Sequence, residues 1–154
     1  MAGSLRIGTV LALAVTAIAC FSPEDQRPGL RLAGEVAPTP SDWSFANHYR
    51  EIAVEVRTPY LLPHSVTIWC AEMEGALFVG ARNPESKRWP GWVDADPEVR
   101  LRIGEQLYEV SLTPLDDPER IDRLRRAYAA KYDFPAAAPG TGPPIRYWQV
   151  GPRS

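Results

Sequence analysis

The run EVRLRIGEQLYEVSL, from Glu98 to Leu112, constrains the fold more than any other stretch of this chain. Val99, Leu101 and Ile103 alternate with charged residues, Gly104 interrupts, and Tyr108, Val110 and Leu112 alternate again. A period of two puts these apolar side chains on one face of two successive strands. The glycine between them marks the turn of an antiparallel hairpin.

The rest of the middle of the chain follows the same grammar. In REIAVEVRT, Ile52, Val54 and Val56 oppose Ala53, Glu55 and Arg57, which predicts a half-buried strand. In VTIWCAEM, Val66, Ile68 and Cys70 share one face and Thr67 and Trp69 the other, and Glu74-Gly75 supplies a hairpin turn into ALFVGAR. SDWSFANHYREI predicts a short helix capped at Ser41 or Asp42, with Trp43 and Ala46 on its inner side. PGWVDAD predicts a helical turn begun by Pro90 and stopped before Pro97. DDPERIDRLRRAYAAKY predicts an amphipathic helix, with Asp117 as N-cap, Pro118 in first position, and a stripe of Ile121, Leu124, Tyr128 and Tyr132. Its Arg120, Arg123, Arg125 and Arg126 read as a solvated face. IRYWQV returns as a last strand. The order favours a mainly β (α+β) domain, a small antiparallel sheet curled into a barrel with two or three helices over its openings. An open α+β sheet is the alternative.

The N-terminus carries a different signal. Arg6, the apolar run IGTVLALAVTAIA and small residues Ala17 and Ala19 precede Cys20, the pattern of a secretory signal. The run is shorter than the about 20 apolar residues of a membrane span. AIAC resembles a bacterial lipoprotein signal, whose cysteine becomes the lipidated first residue; Ala17 stands where leucine is usual. The expected organisation is a signal peptide over residues 1–19, a flexible Pro-rich tether over 20–41, and one domain over 42–150. That places the protein outside the cytoplasm in the cell envelope, lipid-anchored to the membrane through Cys20, with plain secretion as the alternative. Most of the sixteen prolines flank the apolar middle, as tether and tail residues do.

Several chemistries find no support. A net charge of −2 with mixed signs gives no broad basic field, so nucleic acid is not an expected partner. His48, His64 and Cys70 do not have metal-ligand spacing, and Asp94 and Asp96 suit a helix end before Pro97, so no metal is expected. Ser65 beside His64 is adjacency rather than a triad, because neighbours in a strand point to opposite faces. No nucleophile elbow, P-loop or dinucleotide fingerprint occurs. Cys70, without a partner once Cys20 is lipidated or removed, reads as a buried small hydrophobe.

Three word-like stretches carry a resemblance: LFVGAR, WPGWVDADPEVRLRIG and YEVSLTPLDDPERI. With the element order of residues 52–132, they resemble the split-barrel flavin-binding superfamily, which includes pyridoxamine-phosphate-oxidase-like proteins and deazaflavin-dependent nitroreductases. The positions of Pro90, Trp92, Asp96, Pro97 and Gly104 match the Pro-Trp helix, the Asp-Pro turn and the strand ending in glycine of the deazaflavin-type relatives.

The resemblance implies a split β-barrel holding FMN or a deazaflavin near its mouth, often at a homodimer interface, with a small-molecule substrate. Arg82, Lys87 and Arg88 stand where phosphate-binding cations belong, since Arg offers a planar fork and Lys a point charge. Trp89 and Trp92 are candidates either to stack on the cofactor ring or to anchor the short helix. Where relatives have a Gly- and basic-rich turn between the first two strands, this chain has RTPYLLPHSVT, which supplies Arg57, Thr58, His64, Ser65 and Thr67 but no glycine. Two functions follow: an envelope oxidoreductase using a flavin-type cofactor, or a non-catalytic envelope module that binds a partner or small ligand.

Overall fold

The computed structural model describes residues 31–135, 138 and 141–153. The expected signal peptide, residues 1–19, and the lipidation position Cys20 lie outside these. Along the described chain run β1 (Glu35–Ala37), β2 (Glu51–Arg57), β3 (Pro63–Met73), β4 (Ala76–Arg82), α1 (Trp89–Ala95), β5 (Glu98–Ile103), β6 (Gln106–Pro114), α2 (Pro118–Tyr132) and β7 (Ile145–Pro152). Short 3-10 turns at Ser44–His48 and Pro84–Ser86 complete the order.

The hairpin read from Glu98 to Leu112 forms as expected, in register from Glu98↔Ser111 to Ile103↔Gln106. Strand order is β6-β5-β2-β3-β4-β7, and β7 pairs back onto β6, so the antiparallel sheet closes into a six-stranded barrel. Closure, rather than an open sheet, gives each of these strands a neighbour on both sides over at least part of its length. The alternating apolar residues meet inside: Val54, Val56, Ile68, Cys70, Leu77, Val79, Leu101, Val110 and Trp148 form one buried cluster. Truncating one of the fully buried leucines, such as Leu101, costs about 2 to 5 kcal/mol. Between β3 and β4, Glu74 and Gly75 both have positive φ, 58° and 78°, the pair of left-handed residues that a two-residue hairpin turn needs.

Helix α2 lies on the outside of the sheet. Asp117 accepts from the amides of Glu119 (3.0 Å) and Arg120 (3.4 Å), and the chain leaves the helix through Asp133 at φ 55°. Leu124, Tyr128 and Tyr132, spaced four apart, bury against Phe78, Ala71 and Tyr147. The short α1 is pinned by Trp89, whose ring packs 5.1 Å from that of Trp148.

Two expectations are corrected. The sequence predicts a flexible tether as far as residue 41, yet β1 pairs in parallel with β6, and Leu32 is buried with Ala53 and Leu107. The same segment explains why the outer face of β2 is not solvated. Glu55, only 9% exposed, accepts from the Leu32 amide at 2.6 Å and faces the Arg100 guanidinium at 3.5 Å. A carboxylate can sit there because a backbone donor and a cation replace its water. The stretch from Asp42, expected as a helix, is a single 3-10 turn.

Candidate functional site

The barrel is split between β3 and β4. Their ladder runs from Met73↔Ala76 only to Cys70↔Val79, although both strands continue. Beyond that point β3 stays with β2, as far as Arg57↔Pro63, and β4 with β7, as far as Arg82↔Ile145. At the parting the Tyr128 hydroxyl lies 3.2 Å from both the Trp69 carbonyl oxygen of β3 and the Phe78 carbonyl oxygen of β4, bridging the two strands.

A groove of about 1100 Å³ opens at the split. Its walls come from Thr67 and Trp69 of β3, Gly80 and Arg82 of β4, Arg125 and Tyr128 of α2, and Tyr147 of β7, with Lys87 and Trp89 from the connector into α1. Trp69, 46% exposed, stands on the Tyr132 ring at 4.4 Å and 12°, which holds a flat aromatic surface toward solvent. Gly80 is needed for this shape: a Cβ there would lie 3.1 Å from two atoms of the Tyr147 ring. The lining is thus largely apolar and aromatic, and its charged side chains are three cations and Glu51.

Three cations, Arg82, Lys87 and Arg125, line the groove, and among the described residues no carboxylate forms an ion pair with any of them. The Lys87 Nζ donates to the Arg82 carbonyl at 2.8 Å, which fixes the ammonium at the end of β4. The Nε of Arg125 is buried without a hydrogen-bond partner. Burial pushes the Tyr147 phenol above its ordinary pKa, and the neighbouring Arg125 guanidinium pulls it partly back. Glu51 is the only acidic residue among the described lining, and its Oε1 accepts from the Trp69 indole at 3.4 Å.

The structure sorts the residues expected from the sequence. Arg82, Lys87, Trp89 and Thr67 come together in the groove. Trp89 is 4% exposed and packed on Trp148, so it anchors α1 and presents only an edge to the groove. Arg88, His64 and Arg57 are not among the groove's lining residues. Arg57 pairs with Asp96 at 2.8 Å, and His64 meets Trp92 edge-on at 5.0 Å. Burial, and then the nearby Arg88 charge, lower the His64 pKa. Ser65 is fully buried and therefore out of a ligand's reach. Thr58 closes the β2–β3 loop by donating to the Leu62 carbonyl at 2.7 Å.

The sequence reading missed Arg125, Tyr128 and Tyr147 as lining residues. The helical arginines are not a uniform solvated face: Arg120 donates to Gln149 at 3.0 Å, Arg123 pairs with Glu74 at 3.6 Å, and Arg125 turns to the groove. The available signal was helical spacing: Arg125 follows Leu124 and lies three before Tyr128, at the border of the buried stripe. Asp94 and Asp96 serve as latches, Asp94 holding Arg146 through two bonds of 2.6 and 2.7 Å. Cys70 is buried as expected, with the Lys131 ammonium 3.3 Å from its sulfur; burial raises the thiol pKa and Lys131 opposes that shift.

Comparison with solved structures shows the same architecture elsewhere. The chain is similar to a conserved hypothetical protein from Mycobacterium tuberculosis, with TM-score 0.57 and 16% identity over 71% of this chain and 77% of that one. It is similar to a putative pyridoxamine 5'-phosphate oxidase from Listeria innocua, with TM-score 0.55 and 10% identity over 72% and 90% of the two chains. A NimC/NimA family protein from Clostridium acetobutylicum aligns with TM-score 0.53 and 12% identity over 68% and 76%. At such identities the likeness is one of fold. The shared fold is a closed six-stranded antiparallel β-barrel with one outer strand and two helices. No curated protein matches the chain in sequence. Residues 46–145 match the family model for an uncharacterized protein conserved in bacteria, and the chain belongs to that family, DUF2255.

Proposed function

We propose that the groove at the split binds a flavin-type cofactor, FMN or a deazaflavin, and that the protein uses it as an oxidoreductase on a small substrate. The observation that carries this reading is the join of a wide aromatic slot to cations that form no ion pair with a carboxylate among the described residues. Clefts for small molecules and cofactors run to about 300 to 1,000 Å³ with few polar groups, and this groove has that scale and character. The residues fit such a group: Trp69, Tyr128 and Tyr147 offer apolar surface to a planar ring, and Arg82 and Lys87 offer phosphate donors. When bound, the cofactor supplies the hydride chemistry, and the protein supplies binding, orientation and shelter from water.

The test is titration of purified residues 31–154 with FMN and with a deazaflavin, followed by flavin absorbance and fluorescence. Arg82→Ala and Lys87→Ala should each weaken binding about tenfold, as loss of one charge-assisted bond does. Absence of any spectral change in the wild type would overturn the reading.

A second reading, a non-catalytic binding module, is favoured by the β2–β3 connection. Arg57, Thr58 and His64 there are engaged by Asp96, Leu62 and Trp92. Ligand binding without turnover of any hydride acceptor would support it. Envelope location and lipid anchoring at Cys20 belong to the same proposal, supported by the pattern from Arg6 to Cys20. Labelled fatty acid should mark the wild type and miss Cys20→Ser. The homodimer implied by the resemblance is tested by sedimentation with and without FMN.

A further inference from the structure

We infer that Arg125, with the Tyr147 hydroxyl beside it, is a second anion-recognition point in the groove, distinct from Arg82 and Lys87, and that it selects a small substrate bearing a carboxylate. This rests on the groove being a ligand site, and it names the substrate class for it.

The three other arginines of α2 differ in their surroundings. Arg120 has Gln149 as hydrogen-bond partner and lies over the Phe78 ring at 5.7 Å, Arg123 has Glu74, and Arg126 is exposed to water. Arg125 alone of the four lines the groove; its guanidinium is hydrogen-bonded to the Tyr147 hydroxyl, while its Nε, like that of Arg123, is buried and finds no hydrogen-bond acceptor among the described residues. Native structures rarely leave a buried donor unpaired, so an orphan of this kind points to an absent acceptor. A guanidinium presents parallel N–H donors that match the two oxygens of a carboxylate. The Tyr147 hydroxyl, hydrogen-bonded to the Arg125 guanidinium, adds a second polar group at the same place. Tyr147 lies opposite Gly80 in the β4–β7 ladder, and Arg82 lies opposite Ile145, two residues further on. Two residues of strand amount to about 6.6 Å, enough to separate a phosphate point at the strand end from a carboxylate point within the groove.

The experiment uses benzoate as a planar carboxylate probe and benzamide as its neutral isostere, measured by equilibrium dialysis against wild type, Arg125→Gln, Arg125→Lys and Arg82→Ala. Wild type should bind benzoate about tenfold more tightly than benzamide, as a charge-assisted bidentate contact implies. Arg125→Gln should abolish that preference, and Arg125→Lys, which keeps charge without the fork, should restore part of it. FMN affinity should stay within about twofold in Arg125→Gln while falling in Arg82→Ala. Circular dichroism confirms that each variant is folded. Benzoate no better than benzamide in the wild type, or a preference unchanged in Arg125→Gln, would overturn the inference. So would an FMN loss in Arg125→Gln as large as in Arg82→Ala, because Arg125 would then belong to the phosphate point. Arg125-dependent benzoate binding in a protein that ignores FMN would sink the flavin reading and leave this one standing.

Discussion

Replacing Tyr132 with phenylalanine tests how the groove wall is held. The Tyr132 hydroxyl stands where the β2–β3 ladder ends at Glu51↔Trp69. It accepts from the Cys70 amide at 3.0 Å and shares its proton between the carbonyls of Arg50 (2.6 Å) and Cys70 (2.9 Å). Phenylalanine keeps the ring that supports Trp69 but removes the oxygen. One net hydrogen bond is worth about 1 kcal/mol, and stranding the buried Cys70 amide adds about 1 to 3 kcal/mol, for a total of about 2 to 4 kcal/mol. Burial, and then the neighbouring Cys70, raise the phenol pKa above its ordinary value, so the hydroxyl keeps its proton at neutral pH. Urea unfolding at neutral pH should therefore show a lower midpoint with an unchanged slope. A loss under about 0.5 kcal/mol would show that water replaces the hydroxyl and that the network does not pin the wall.

Three smaller predictions accompany it. His64, whose folded pKa is lowered by burial and then by Arg88, takes up its proton more readily in the unfolded chain. Stability should be level above about pH 6.5 and fall as pH drops from there toward the depressed folded value. The difference between urea midpoints at pH 7.5 and pH 5 should shrink in His64→Gln, and an equal difference would contradict the assignment. Leu61 holds φ 63° while 82% exposed, so Leu61→Gly should stabilise by about 0.5 to 1 kcal/mol, visible as a raised Tm, whereas a lowered Tm would mean the side chain has a partner. Gly80→Ala should destabilise by about 1 to 2 kcal/mol through crowding of Tyr147 and weaken FMN binding; wild-type stability would show that the ring yields freely.

Most strands were legible because a barrel wall writes period two into the sequence, as in Val99, Leu101 and Ile103. The caps of α2 were legible because Asp117 and Pro118 act locally. Residues 31–41 were misread because β1 is a three-residue strand whose place depends on distant partners, Gln106 to Tyr108, and no period can show in three residues. The site was half legible. Arg82 and Lys87 lie near each other in sequence, so one resemblance could place both. Arg125 and Tyr147 lie far apart in sequence, and only the packing of α2 on the sheet brings them to the same groove. Arg57 and Ser65 lie outside the groove lining for a physical reason the sequence does not display: one pairs with Asp96 and the other is fully buried.

The position of the groove follows from strand pairing. Each barrel strand has two edges, and past Cys70↔Val79 neither β3 nor β4 has the other beside it. A ladder that simply frayed would leave buried carbonyls unpaired and invite water or a closing rearrangement. Here Tyr128 covers the Trp69 and Phe78 carbonyls and Tyr132 covers Cys70, so α2 finishes both strand ends with side-chain hydroxyls. The opening is thus a stable part of the fold, held by residues that need no ligand. Cations set into such an opening can be changed without changing what keeps it open. Arg82→Ala should therefore lower FMN affinity with little change in the urea midpoint, whereas Tyr128→Phe should lower the midpoint first and affinity only as a consequence. Equal losses of stability in the two variants would mean that the groove cations also hold the split apart.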